Sequence, residues 1–167
     1  MVRTRQIGKT FEKKWAKKTG SKVTIGSGNL WFDKEDCKNA KWIFQNKATT
    51  KDYYNLRLVD LIKLQTSASK TNRKWAFAIE FSCTVYEERT CFVVFPVKYL
   101  LTVLQKPVQE CEYLGTFEKQ VKLRKETLEN IWLSEKPIGL VMFNKFGELL
   151  LIMNELDFLK EFQGELQ

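Results

Sequence analysis

Between Lys41 and Phe95 the apolar residues change their period twice, and this restricts the chain to folds that pack helices on a sheet. Residues 41–48 alternate, with Ile43, Gln45 and Lys47 on one face of a strand and Trp42, Phe44 and Asn46 on the other. From Tyr54 to about Ala68, Leu58, Leu61, Ile62 and Leu64 recur at helical spacing, with Leu56 and Val59 nearby. Trp75–Cys83 and Thr90–Phe95 return to strand character across the turn Glu87-Glu88-Arg89. Pro96 ends the second of these, and Val97–Leu104 reads as a short helix. Such an order buries its apolar faces as an α/β layer structure.

The flanks extend this pattern. Thr10–Lys18 is a short helix with Phe11 and Trp15 on one face and lysines elsewhere, stopped by Gly20, and residues 1–8 read as a flexible arm. Lys22–Ile25 is a short strand leading into the turn Gly26-Ser27-Gly28-Asn29, and a second extended piece surrounds Asp36. Residues 105–116, with Pro107, read as a connector. Beyond it, Leu123–Leu133 (helix), Pro137–Phe143 (strand), Glu148–Met153 (strand) and Asn154–Phe162 (helix) echo Leu56–Leu64, Trp75–Phe81, Cys91–Phe95 and Val97–Leu104. The later hairpin turn is Asn144-Lys145-Phe146-Gly147. Identity between the halves is slight, so this is a similar order of elements rather than a demonstrated duplication. At 167 residues, the expectation is a core over 1–104 carrying a C-terminal αββα extension over 105–167.

The chain contains no histidine, and its four cysteines (Cys37, Cys83, Cys91, Cys111) form no C-x-x-C pair. Zinc ligation, Ser-His-Asp hydrolysis and histidine general bases are therefore not expected, and the cysteines read as reduced packing residues. Any hydrolysis must rest on carboxylates, lysine and a hard cation. Residues 1–22 hold Arg3, Arg5, Lys9, Lys13, Lys14, Lys17, Lys18 and Lys22 against Glu12 alone, nearly the whole of the formal net charge of +8. A basic head on a near-neutral body points to an anionic partner, most often nucleic acid, against the plainer reading of a solvated helix face. No apolar run approaches the ~20 residues of a membrane span, and the basic start lacks the apolar region of a secretory signal. A cytoplasmic protein without a membrane partner is expected.

Four short motifs carry candidate chemistry: Glu12 on the basic helix, Gly26-Ser27-Gly28, Lys34-Glu35-Asp36 and Gln45-Asn46-Lys47. Phosphodiester hydrolysis without histidine needs carboxylates to hold Mg²⁺ beside the phosphate and a cation to support the attacking hydroxide. An Asp at a strand end can meet residues 45 and 47, which point the same way on the next strand. Glu12 can reach in from beside the sheet.

This ordered set resembles the PD-(D/E)xK nucleases, and within them the archaeal-type Holliday junction resolvases and their phage relatives. Those proteins carry a glutamate on the first helix, a G-S-G turn, a K-G-D-like segment and an E-x-K strand in this order at similar spacing. The resemblance covers about residues 8–104. It implies a restriction-endonuclease-like mixed sheet of about five strands flanked by helices, with the site at one sheet edge. It implies Glu12, Asp36 and Gln45 as ligands of Mg²⁺ (or Mn²⁺), Lys47 as catalytic lysine, and Ser27 close to a phosphate. Arg3, Arg5, Lys9, Lys13, Lys14, Lys17 and Lys34 would complete the DNA contacts. The implied activity is resolution of four-way DNA junctions by a homodimer, in the host cytoplasm if the chain is phage-encoded.

Two departures stand out: Glu35 takes the place of the usual Gly, and Gln45 that of the usual acid. An amide oxygen can bind Mg²⁺ but adds no charge. It either serves as a ligand, as in some nucleases of the superfamily, or marks an inactivated site, with Asp33 and Glu35 as alternative acids. The rival readings are another nuclease of the superfamily (flap, nicking or repair), a catalytically degenerate DNA-binding protein, and an RNA-binding or protein-interaction module.

Overall fold

In a computed structural model the described residues are 2–24, 36–82, 89–101 and 111–166, without the side chains of 2–5 and 101. The elements in chain order are α1 (Val2–Lys18), β1 (Lys22–Val23), β2 (Cys37–Lys38), β3 (Trp42–Thr49), β4 (Tyr53–Arg57), α2 (Leu58–Lys70), β5 (Lys74–Ser82), β6 (Arg89–Pro96) and α3 (Val97–Leu101). After these come β7 (Cys111–Phe117), β8 (Gln120–Arg124), α4 (Lys125–Trp132), β9 (Ile138–Phe143), β10 (Leu149–Asn154), α5 (Glu155–Glu161) and α6 (Gln163–Leu166).

The fold is α/β on a large mixed sheet of eight strands, ordered β1-β2-β3-β5-β6-β10-β9-β7, with β4 and β8 paired as a separate two-stranded ribbon. The count exceeds the expected five because β10 pairs antiparallel with β6 and carries the sheet on through the second half of the chain. Helix α2 is the crossover between the parallel pair β3 and β5 and packs on both. Residues paired across neighbouring strands share a face. One face of the sheet therefore presents Trp42, Phe44 and Ala76 to α1 and α5, where Trp42 packs on Phe44, Phe158 and Phe162, Trp15 on Phe44 and Phe158, and Phe95 on Phe158 and Phe162. The other face presents Trp75, Phe77 and Ile79 toward α2, Phe146 and Tyr54.

Three local expectations change. Residues 1–8 do not stand apart as an arm, since α1 already runs from Val2: Ile7 lies four residues before Phe11 and lengthens the stripe that Phe11 and Trp15 bury. The helix still ends at Gly20, whose φ of 61° suits a residue without Cβ. Tyr53–Arg57 is strand rather than the first turn of a helix, because β8 supplies a partner, with Leu56 opposite Val121 and both side chains buried. Residues 111–117 are a strand on β9, where a connector was expected.

The second half repeats more than the αββα order. The series β3-β4-α2-β5-β6-α3 recurs as β7-β8-α4-β9-β10-α5. Each half contains a parallel pair (β3 with β5, β7 with β9), and the halves meet through antiparallel pairs, β6 with β10 and β4 with β8. That is the pairing of a pseudo-two-fold passing between β6 and β10. Leu56, Leu61 and Leu64 in the first half match Leu123, Leu128 and Ile131 in the second, and all six are buried. Strands β1 and β2 are added on the β3 side.

Candidate active site

The edge built by β1, β2 and β3 gathers the candidate chemistry. The N–H of Asp36 donates to the carbonyl of Phe44 (3.1 Å), while its own carbonyl accepts from the N–H of Thr24 (2.9 Å). The backbone of Asp36 is thus pinned between neighbouring strands. Its buried carboxylate accepts through Oδ2 from the backbone N–H of Asn46 (2.7 Å) and from Nε2 of Gln45 (2.5 Å). Gln45 and Lys47, two residues apart on β3, share a face and are both half-buried. Their register neighbours on β5 are Phe77 and Ile79, which wall that side with apolar surface.

Asn46 points to the opposite face and ties the strand to the helix. Its Nδ2 donates to Sγ of Cys37 (3.2 Å), and that thiol donates to the carbonyl of Glu12 (3.4 Å). Asn39 secures the far end of α1: its Nδ2 donates to the carbonyl of Thr19 (3.0 Å), and its Oδ1 accepts from the N–H groups of Lys41 and Trp42.

These fixings bring Glu12 into the field of Asp36 and Lys47. Burial raises the Glu12 carboxyl above the ordinary glutamate range and the Asp36 charge raises it further, while Lys47 and Lys9 pull it back. Burial also pushes the Cys37 thiol up to about 12, with Asp36 and Glu12 adding to the shift and the Asn46 hydrogen bond opposing it. Cys37 is therefore a packing and hydrogen-bonding thiol rather than a nucleophile. Burial pushes the Tyr54 hydroxyl up to about 12; Asp60 adds to this, Arg57 opposes it, and Asp36 contributes from the site.

Asp36, Gln45 and Lys47 share one face of this sheet edge, and Glu12, on the helix packed against the other face, is within electrostatic reach of Asp36 and Lys47. Lys9, Lys13, Lys14 and Lys17 are exposed on α1. Ser27 with Gly26 and Gly28, and Asp33, Lys34 and Glu35, lie outside the described residues, as do the side chains of Arg3 and Arg5. Sequence reasoning missed Asn46 and Cys37. A usable signal was present, since Asn46 is the polar residue on the apolar face of β3 that also carries Trp42 and Phe44.

Among the described residues no group of three His, Cys, Asp or Glu side chains is placed to hold a metal. The Glu12 carboxyl is raised first by its burial and then by the Asp36 charge, with Lys47 and Lys9 opposing; on the other face of β3, Oδ1 of Asn46 is buried without a hydrogen-bond partner. By their chemistry, the carboxylates of Glu12 and Asp36 and Oε1 of Gln45 are the oxygen donors that could hold a hard divalent cation, although it is Nε2 of Gln45 that faces Asp36 here. No helix among the described residues is long and apolar enough to cross a membrane. Comparisons with protein-family models, with curated proteins and with solved structures returned no match.

Proposed function

We propose that the chain is a metal-dependent DNA endonuclease of the PD-(D/E)xK kind, acting on branched DNA as the Holliday junction resolvases do. The observation that carries this reading is the convergence of Glu12, Asp36, Gln45 and Lys47 at one edge of the sheet, with Asp36 and Lys47 both acting on the Glu12 carboxyl. A mixed sheet with helices on both faces and the site on its edge strands is consistent with a restriction-endonuclease-like core.

In this account Glu12, Asp36 and Gln45 would hold Mg²⁺, with Mn²⁺ a substitute, and the cation would supply Lewis-acid activation of water. Asn46 keeps the Asp36 carboxylate oriented through its backbone N–H. Lys47 stabilises the attacking hydroxide and the charge that develops on the phosphorane oxygens. The exposed lysines of α1 bind backbone phosphates without regard to sequence. A homodimer would present two such sites to the related strands of a four-way junction.

The test is a panel of labelled four-way junction, flap and linear duplex with Mg²⁺, Mn²⁺ or chelator. Cleavage of the junction over duplex supports the resolvase reading, while preference for flap or nicked DNA moves the enzyme elsewhere in the superfamily. A second reading is a DNA-binding protein with a degenerate site. It is favoured by the uncharged Gln45, whose Nε2 occupies the Asp36 carboxylate. That reading predicts tight junction binding and no cleavage with either metal, even for Gln45→Glu.

A further inference from the structure

The ribbon of β4 and β8 has a role the catalytic edge does not explain. Its strands pair Tyr53 with Arg124, Asn55 with Lys122 and Arg57 with Gln120. Tyr54, Leu56, Val121 and Leu123 turn inward, and the alternate residues turn out. That outward face contains no acid. Asn55, Arg57, Gln120, Lys122 and Arg124 are exposed on it, and Lys51 and Lys119 are exposed at its ends; Asp52 and Glu118 lie in the adjoining turns. The charges are organised around one ring, with the Lys122 ammonium 4.0 Å from the centroid of Tyr53 and that of Lys51 5.3 Å away. Arg57 is held by Asp60 (2.8 and 3.1 Å), whereas Thr127 stands at the matching place in the second half, beside Arg124.

The ribbon also lies next to the candidate site. Tyr54 on its inner side packs on Phe77 (6.0 Å between centroids), and Phe77 is the register neighbour of Gln45. The Asp36 charge reaches the Tyr54 hydroxyl.

We infer that the outward face of the β4–β8 ribbon is a second DNA-binding surface, which seats duplex DNA and engages its phosphates through Lys51, Lys122 and Arg124. The major groove of B-form DNA admits a two-stranded ribbon, and Asn55 and Gln120 point outward with amides able to meet base edges. The A-form major groove of duplex RNA is too deep and narrow for this, so DNA is the preferred duplex. The inference rests on the reading that the ligand is DNA, and it adds a contact surface separate from α1 and from the catalytic edge.

The experiment measures binding of a labelled DNA duplex in chelator across a salt series. It compares wild type, Lys51→Ala/Lys122→Ala/Arg124→Ala, Lys13→Ala/Lys14→Ala/Lys17→Ala on α1, and the charge-preserving Lys51→Arg/Lys122→Arg, with thermal unfolding of each. Each lost phosphate contact lowers the slope of log affinity against log salt by about 0.9. The ribbon triple variant is expected to lose about two to three units of slope and to bind on the order of tenfold or more weakly at moderate salt. The arginine variant keeps the wild-type slope. A ribbon triple variant with wild-type slope and affinity overturns the inference. If the triple variant does not fold, Lys122→Ala alone must lower the slope by about one unit, and no change overturns the inference equally. Because binding is read in chelator, a ribbon effect here together with no cleavage in the separate Mg²⁺ and Mn²⁺ panel would sink only the catalytic reading. Wild type that binds no DNA would sink both.

Discussion

The backbone N–H of Asn46 donates to Oδ2 of Asp36 at 2.7 Å, so the strand that carries Gln45 and Lys47 also holds the carboxylate they face. The same residue reaches α1 from its other side through Cys37 and the carbonyl of Glu12. One short piece of β3 thus sets the relative positions of all the candidate catalytic groups.

Divalent cation binding should depend on the carboxylates. Mn²⁺ titrated into wild type and followed by its paramagnetic signal is expected to bind at one class of site. Asp36→Ala and Glu12→Ala should each weaken that binding by on the order of 10- to 100-fold, as loss of a ligand or of its support does. Retention of wild-type affinity in Asp36→Ala would remove it from the ligand set.

Glu12→Gln should stabilise the metal-free protein at neutral pH. The Glu12 carboxyl is raised in the folded state, so folding favours its protonated form. That favourable contribution is complete below the unfolded-state glutamate range and is lost as pH rises through the higher folded value. The neutral amide keeps it at every pH. The melting temperature of Glu12→Gln should exceed that of wild type at pH 7, and the gap should close as the solution is acidified below about pH 4. A variant less stable than wild type at pH 7 would contradict the electrostatics assigned to this edge.

Gln45→Glu tests the departure from the acidic ligand pattern. The change removes the Nε2 donor that now satisfies Asp36 and adds a third carboxylate beside Asp36 and Glu12. In chelator the variant should melt below wild type, and Mg²⁺ should restore more stability to it than to wild type, by mass action on a tighter site. Equal responses to Mg²⁺ would show that position 45 does not face the cation.

Trp42→Ala tests the core that positions α1. Trp42 is wholly buried and stacks with Phe44, while Tyr99, Phe158 and Phe162 meet it edge-on. Truncation should cost about 3–5 kcal/mol by chemical denaturation. A loss under 1 kcal/mol would mean that this cluster is not the packing centre described.

The period changes between Lys41 and Phe95 made β3, α2, β5 and β6 legible, because each element buries a face whose spacing is local. Tyr53–Arg57 and Cys111–Phe117 were not. Both are strands by virtue of partners far along the chain, β8 for the first and β9 for the second, and a helical reading of Leu56 and Leu58 satisfies the same apolar residues. The echo between the halves was visible as an order of elements, but its pseudo-two-fold needed the antiparallel pairing of β6 with β10. At the candidate site the charged residues were legible through spacing, since positions 45 and 47 share a strand face. Asn46 left a trace as the polar residue on the Trp42–Phe44 face, but Cys37 did not, because its role is to hold α1 against β3 and contact between helix and strand leaves no periodic signal. The basic ribbon escaped notice for a similar reason, its cations being divided between residues 51–57 and 119–124.

The most direct measurement is single-turnover cleavage of a labelled four-way junction in Mg²⁺, with wild type and Lys47→Ala compared at saturating protein. The account predicts metal-dependent cleavage by wild type and a rate lower by on the order of 100-fold or more in Lys47→Ala, with junction affinity and melting temperature little changed. Equal rates for the two proteins, or no cleavage by wild type in Mg²⁺ or Mn²⁺, would contradict it.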